Sequence, residues 1–398
     1  MHGLDAHQHA EARRANPVPR ELLFEPWAAR YAEPFVGITT DGRLIPDLYR
    51  LQPNGAPVQA MMNAAQHLLA MLSAEHRAAL TYPVTAREWR RWNNTEIYLH
   101  EYGLRLDEIP LPVRERILEV VRASLSANGF EKTRDVMRLN LFMGELVGNT
   151  KVLGEWSFNF TLFGEPSASE PWGWQLMGHH LLLNCLVLGE QMVLSPTFMG
   201  AEPNYADAGP FQGVRLFQDE ERAGLALMRS LAPAQQRRAL LYHSMMGGDL
   251  PPERRHPADQ LHLGGAFHDN RVIPYEGARA AEFSRAQRAR LLELVRAFVA
   301  PLPEGPQKAR MEEVERHLDD THFCWIGGTG DQNTFYYRIQ SPVVMVEFDH
   351  HAGVFLTNEK PEKFHIHTLV RTPNGNDYGA DLLRLHYARS HKDRRPGE

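Results

Sequence analysis

The order of apolar and polar positions predicts a helical first part of the chain. Apolar residues over 58–72 recur three and four positions apart, which predicts a helix with one buried face. The same spacing predicts a helix that follows Pro112 and stops at Asn128-Gly129, and another over about 132–147. The helical part is therefore expected over about 50–147.

From residue 153 onward, alternating and aromatic positions are typical of strands. The run 172–188 is interpreted as one strand that contains His179 and His180, and Gly189-Glu190 as the hairpin connection to the next strand. Strands are predicted at 156–163, 172–188, 191–198, 321–326, 334–339, 343–348 and 364–370, and helices at 219–242, 284–299 and 378–391.

Strands in the middle and at the end of the chain predict an α+β fold. We expect one mainly antiparallel sheet built from the central and C-terminal strands, with the helical N-terminal part and the other helices packed around it. A single domain is predicted over 18–389, with its sheet-bearing part at about 150–389. The polar ends, 1–17 and 390–398, are expected to be loose.

Composition excludes several classes of partner. A formal net charge of -6 gives no basic surface for nucleic acid. No apolar run approaches the roughly 20 residues that span a bilayer, and the polar start has no secretion signal, so a cytoplasmic protein is predicted. The two cysteines, Cys185 and Cys324, lie in strand-like runs, which argues against a disulfide framework and a thiolate zinc site.

Histidines and carboxylates concentrate on the predicted strands. Because side chains alternate between the faces of a strand, His365 and His367 share one face, and such a pair offers a metal two ligands from one rigid element. Glu347 and Asp349 share a face with His351 on the neighbouring run. A single histidine on a strand more often has a structural role than binds a metal, so the metal prediction rests on all of these clusters together.

The pair His179-His180 supplies a third wall of the predicted site. In a continuous strand His180 shares a face with Asn184, which makes His180 the favoured ligand and His179 the substitute. The metal ligands are therefore predicted to be His180 or His179, Glu347, His365 and His367, around one divalent ion, zinc first and iron or copper second.

Other residues receive roles around that ion. Glu202 or Asp349 is predicted to move a proton, and Arg371 to hold an anionic small-molecule substrate. Asn184, Trp174 and Tyr378 are predicted to contact the substrate. The structural alternatives are a turn residue for Glu202, a salt bridge for Arg371 and core packing for the tryptophan.

Three separate segments of the sequence resemble the DUF3500 family. They are the run 170–181, which contains Gly178-His179-His180, the run 196–203, and the run 365–371, which is followed by Asp377-Tyr378-Gly379 and His386-Tyr387. The resemblance covers roughly 50–387. It implies little about activity, because the family takes its name from an unassigned function.

Three functions are consistent with these residues. The first is a metal-dependent enzyme that hydrolyses a small amide, ester or lactone with a metal-activated water. The second uses the same ligands for oxygen-dependent chemistry on iron or copper. The third is a small-ligand-binding protein without catalysis, in which the histidines only satisfy one another. The sequence leaves the oligomeric state open.

Overall fold

The computed structural model describes residues 3–99, 102–246, 250–353 and 355–393, with side chains up to 389. The α-helices are α1 Ala6–Ala15, α2 Pro17–Pro19, α3 Glu25–Ala32, α4 Val58–Met71, α5 Ala74–Leu80, α6 Leu111–Ser124, α7 Ala127–Leu146, α8 Gln218–Ser230, α9 Pro233–Ala239, α10 Arg285–Val299, α11 Glu304–Arg316 and α12 Ala380–Asp393. The strands are β1 Thr81–Tyr82, β2 Leu104–Arg105, β3 Phe158–Phe163, β4 Trp172–Gly178, β5 Leu181–Leu188, β6 Gln191–Ala201, β7 Leu240–Tyr242, β8 Ala278–Arg279, β9 His322–Gly327, β10 Phe335–Gln340, β11 Met345–His351 and β12 Glu362–Arg371.

The strands of the described residues form one sheet with the order β1-β3-β4-β5-β6-β12-β11-β10-β9-β7, to which β2 adds at β3 and β8 at β9. The pairing of β6 with β12 joins the central strands to the C-terminal ones. The α+β class and the shared sheet are therefore confirmed.

The sheet is mixed, which corrects the expectation of mainly antiparallel pairing. β1 pairs with β3 in parallel, and β7 pairs with β9 in parallel. Each of these short strands directly follows a helix, α5 or α9, and so reaches the sheet after a helical crossover rather than through a tight hairpin.

Several helix boundaries differ from the sequence prediction. Asn128-Gly129 does not stop a helix: Ser126 accepts a hydrogen bond from Gly129 N–H and thereby caps the start of α7. The helix predicted over 219–242 is divided into α8, α9 and β7, because Pro233 opens a new helix. The Pro-rich stretch after α10 also begins a helix, α11.

The N-terminal segment 1–17 was expected to be loose, but it contains α1. Asp5 and Gln8 form a reciprocal capping box at its start. His9 is buried, and its Nε2 lies 3.1 Å from an oxygen of Glu96, which ties the helix to the body of the protein. At the other end, α12 continues to Asp393, and residues 394–398 lie outside the described part.

Large apolar side chains fill the space between the helices and the sheet. Phe160, Trp174 and Trp325 are fully buried in the main core cluster, together with α4 residues such as Met61 and Leu68. Both cysteines are buried and free. No helix in the described ranges is both long and apolar enough to cross a membrane.

Candidate metal centre

A two-residue turn, not a strand, carries His179 and His180. β4 ends at Gly178 and β5 begins at Leu181, and these two residues pair across the turn. His180 has φ 60, a left-handed conformation that is uncommon outside glycine and that clusters at functional sites. The expectation that strand alternation separates the two histidines is therefore wrong. Their rings stack with centroids 3.8 Å apart.

The turn is fixed against the middle of the sheet. Gly200 N–H on β6 donates to the His180 carbonyl at 2.8 Å, and Gly200 lies beside His367 of β12. A Cβ on Gly200 would lie 2.7 Å from His367 Cδ2 and 3.3 Å from His180 Cδ2. The absence of a side chain at Gly200 thus lets the two imidazoles approach each other.

Strand alternation on β12 places His365 and His367 on one face, as the sequence predicts. Their Nε2 atoms lie 3.0 Å apart. Each has one ligand atom within 4.8 Å of one on His180, so the three can surround one ion. Two nitrogens bound tetrahedrally to zinc at about 2.0–2.1 Å lie about 3.3 Å apart, which the Nε2 separation nearly matches.

β11 brings a second, overlapping group. Asp349, His351 and His367 also place ligand atoms within 4.8 Å of one another. His351 Nδ1 lies 3.1 Å from Asp349 Oδ2, which leaves its Nε2 for another partner. The His351 and His367 rings lie 3.8 Å apart. His350 lies on the opposite face, where its Nε2 contacts Glu221.

Burial sets the protonation of the cluster. It lowers the pKa of His180, His365 and His367 well below the usual value, and the neighbouring histidines lower each pKa further. Burial also lowers the pKa of His179 to about 4. Neutral imidazole is the form that binds metal, so these rings are poised as ligands at neutral pH.

His262 is a residue of this site that the sequence analysis missed. Its Nε2 lies 3.4 Å from Asp349 Oδ1, and both residues are buried. Burial opposes protonation of His262, but Asp349, Glu347 and Asp259 together outweigh it and raise the pKa of His262 to about 9. Burial raises the pKa of Asp349, but His351 and His262 outweigh that effect and hold it well below its usual value.

Two histidines of the cluster carry buried nitrogens without a hydrogen-bond partner among the described residues: His365 Nδ1 and His367 Nδ1. Glu202 Oε2 lies 3.6 Å from His365 Nδ1. Glu202 Oε1 also accepts Leu356 N–H at 3.2 Å. A carboxylate behind a ligating imidazole is the usual way to orient it, and Glu202 is the carboxylate on that side of His365, at a distance too long for a hydrogen bond.

Glu347 lies on the same strand face as Asp349, but both of its carboxylate oxygens already accept hydrogen bonds. Its Oε1 accepts Leu263 N–H at 2.7 Å and Tyr336 O–H at 2.6 Å, and its Oε2 accepts Gly264 N–H at 2.8 Å. Glu347 belongs to neither group that could hold a metal. It anchors the loop next to His262.

Arg371 anchors the same loop. Its guanidinium donates to the carbonyls of Gly264 and Gly265, and to Asp269 and Asp377 at 2.8 and 3.1 Å. Burial lowers the pKa of Arg371, but the two carboxylates outweigh it and raise that pKa. The side chain is fully buried and satisfied, so it offers nothing to a substrate.

The three predicted substrate-contacting residues lie in other networks. Asn184 bonds Gln175 and the Pro196 carbonyl, Trp174 Nε1 donates to Ser124 Oγ at 2.9 Å, and Tyr378 O–H donates to Asp269 at 2.9 Å. Asn184 and Trp174 are fully buried. None of the three belongs to the histidine groups found among the described residues.

The histidine cluster, which consists of His180, His365 and His367, is buried. His180, His365 and His367 are 4, 3 and 3% exposed. The neighbouring His179 lines a cavity of about 30 Å³, together with Gly178 and Met177. His179 also packs against Phe355 at a ring separation of 5.8 Å. The cavity that His179 lines among the described residues is therefore small.

The model of a protein family described as "Protein of unknown function (DUF3500)" matches residues 54–380 of the chain. The matched region contains the turn, both strands of the histidine cluster and the loop that holds His262. No protein with a curated description and no solved structure matches the chain.

Proposed function

Since the chain belongs to the DUF3500 family, whose description gives no activity, we propose from the geometry of the histidine cluster that it is a metal-dependent enzyme. One divalent ion is held by His180, His365 and His367, with zinc as the first expectation. The observation that carries the proposal is the convergence of three buried, neutral imidazoles from a strained turn and one strand.

The alternative that the histidines merely satisfy one another accounts for one contact of this cluster. The Nε2 atoms of His365 and His367 lie 3.0 Å apart, so one ring can donate its N–H to the other. That hydrogen bond does not use His180, whereas one ion would use a ring nitrogen of all three histidines. The Nδ1 atoms of His365 and His367 have no partner among the described residues in either case, so they do not separate the two alternatives.

Hydrolysis of a small amide, ester or lactone is the reaction class that we propose first. A bound divalent ion supplies Lewis acidity and lowers the pKa of a water molecule. Asp349 lies between His351 and His262, and because its own pKa is held low we propose that it takes part in proton transfer through its contact with His262. Glu202 lies 3.6 Å from His365 Nδ1 and is proposed to orient that ring once the ion is bound, and Glu347 and Arg371 hold the loop that carries His262.

Oxygen-dependent chemistry on iron or copper is the second candidate, and the enclosure of the site favours it. A cluster no more than 4% exposed admits dioxygen more easily than an amide or ester. Histidine ligands suit zinc, iron and copper alike, so the ligand set does not separate the two.

Metal analysis of purified protein tests the proposal. We expect about one equivalent of zinc, iron or copper in the native chain and almost none in the double variant His365→Ala/His367→Ala. His243→Ala, at an exposed histidine outside the cluster, is the matched control and retains the metal. A native protein that binds no divalent ion even after reconstitution contradicts the proposal.

The identity of the metal then separates the two chemistries. Zinc with anaerobic turnover of ester or lactone probes supports hydrolysis. Iron or copper with substrate-dependent oxygen uptake replaces it by the second candidate.

A further inference from the structure

A cavity outside the candidate metal centre borders the loop that carries His262. This cavity of about 420 Å³ opens between α3 and this loop, within the usual size range of small-ligand pockets. Its lining includes Arg30, Arg255 and Arg271, with His268 and Phe267 between them. None of these residues belongs to the candidate metal centre.

Among the described residues, the three arginines have no carboxylate partner. Within the ranges that the structure describes, no carboxylate oxygen lies within 4.0 Å of their guanidinium nitrogens. In the described part of the chain, the side chain of Arg271 donates to the carbonyls of Leu263 and Glu253 alone, and Arg255 reaches Met246 Sδ alone, at 3.7 Å. Arg30 has a buried Nη1 with no hydrogen-bond partner among the described residues.

A buried histidine adds an unsatisfied group to the same cavity. His268 is only 6% exposed, and its Nδ1 has no partner among the described residues. His256, whose ring lies 5.2 Å from that of His268, also has an unpartnered Nε2 within the described part. Unsatisfied buried polar groups are uncommon and call for a ligand or a water.

Two carboxylates share the lining, Glu33 and Glu253. Glu33 already accepts a hydrogen bond from Asn270 Nδ2 at 3.1 Å. Three guanidinium groups against two carboxylates leave an excess of positive charge, in a chain whose formal net charge is -6. The excess concerns the lining side chains only, because buried Asp259 lies beside them, 3.0 Å from His256 Nδ1.

We infer that this cavity binds the phosphate group of a small phosphorylated molecule. Guanidinium groups pair with phosphate oxygens through parallel N–H bonds, and a dianion neutralises more than one of them. The cavity is larger than one phosphate, so it has room for the remainder of the ligand. Binding here does not require the metal centre.

Calorimetric titration with pyrophosphate and with inorganic phosphate, on chelator-treated protein at constant ionic strength, tests this inference. We expect one saturable site per chain. Arg255→Gln is the first variant, because Arg255 is exposed and its loss leaves the fold intact; it should weaken pyrophosphate binding at least ten-fold. His268→Gln should weaken it as well.

Arg290→Gln, at an exposed arginine on α10, is the matched control and should bind like the native chain. Equal binding by the native chain and Arg255→Gln, or no saturable binding to the native chain, overturns the inference. Binding of acetate but of neither phosphate overturns the phosphate assignment. The variant His365→Ala/His367→Ala should still bind pyrophosphate, so this site and the metal centre fail independently.

Discussion

At the scale of single residues, Gly200 decides how closely two candidate ligands approach. We expect Gly200→Ala to weaken metal binding at least ten-fold, because its Cβ would lie 2.7 Å from His367 Cδ2. Competition with a chromophoric chelator measures the affinity. Gly189→Ala is the control: nothing lies within 4 Å of its Cβ, so it should cost about 1–2 kcal/mol of stability for its positive φ and leave metal affinity unchanged.

The sequence predicts from residue type that Arg371 binds an anionic substrate, but in the structure its side chain holds a loop and two buried carboxylates. Replacing it with Met removes the charge that balances Asp269 and Asp377 and frees two loop carbonyls. Breaking a buried ion pair from one side costs about 3–5 kcal/mol, and we expect a loss of that size in urea unfolding of Arg371→Met.

The matched control for Arg371→Met lies on α12. Arg384 pairs with Asp381 while its side chain is 65% exposed, so Arg384→Met should cost less than about 1 kcal/mol. Equal effects of the two substitutions would contradict the structural role of Arg371.

At the scale of elements, the turn between β4 and β5 can be separated from its histidine chemistry. Asparagine tolerates the left-handed conformation of His180, so His180→Asn should keep the hairpin and lose the ligand. We expect an unchanged circular dichroism spectrum with metal content reduced to a small fraction. His179→Asn, at the other turn position and outside both metal groups, should retain the metal.

A His180→Asn protein that still carries a full equivalent of metal would remove this residue from the ligand set. It would shift the centre towards Asp349, His351 and His367, the overlapping group.

How far the sequence predicts these elements depends on their periodicity. Alternation along β12 correctly places His365 and His367 on one face. The sequence analysis did not identify the turn because His179-His180 itself lacks the Asn-Gly signal that marks short hairpins, although Gly178 directly precedes it. His262 lies in an irregular stretch with no period to interpret, although His256, His262 and His268 recur there at intervals of six beside two aspartates.

Contacts between distant parts of the chain explain the remaining differences between the predicted and the observed site. Glu347 alternates with Asp349 as predicted, yet the loop N–H groups of Leu263 and Gly264 take its oxygens. Those N–H groups come from a segment more than 80 residues away in the chain. Sequence alternation identifies the face of a side chain, whereas the donor that meets it is fixed only by the folded chain.

At the scale of the whole molecule, the candidate metal joins the two halves of the sheet. His180 belongs to the β4–β5 hairpin, and His365 and His367 belong to β12, on the other side of β6. An ion bound to all three therefore links segments that are distant in sequence, and it binds the folded state in preference to the unfolded chain. Its removal should lower global stability rather than loosen one loop.

The size of that effect follows from mass action. A ligand at one hundred times its dissociation constant stabilises the folded state by about 2.7 kcal/mol. We expect a chelator to lower the Tm of the native protein measurably and added zinc to restore it. In His365→Ala/His367→Ala, neither treatment should change the Tm, since the linking ligands are gone. A chelator effect of the same size in both proteins would place the stabilising ion elsewhere in the chain.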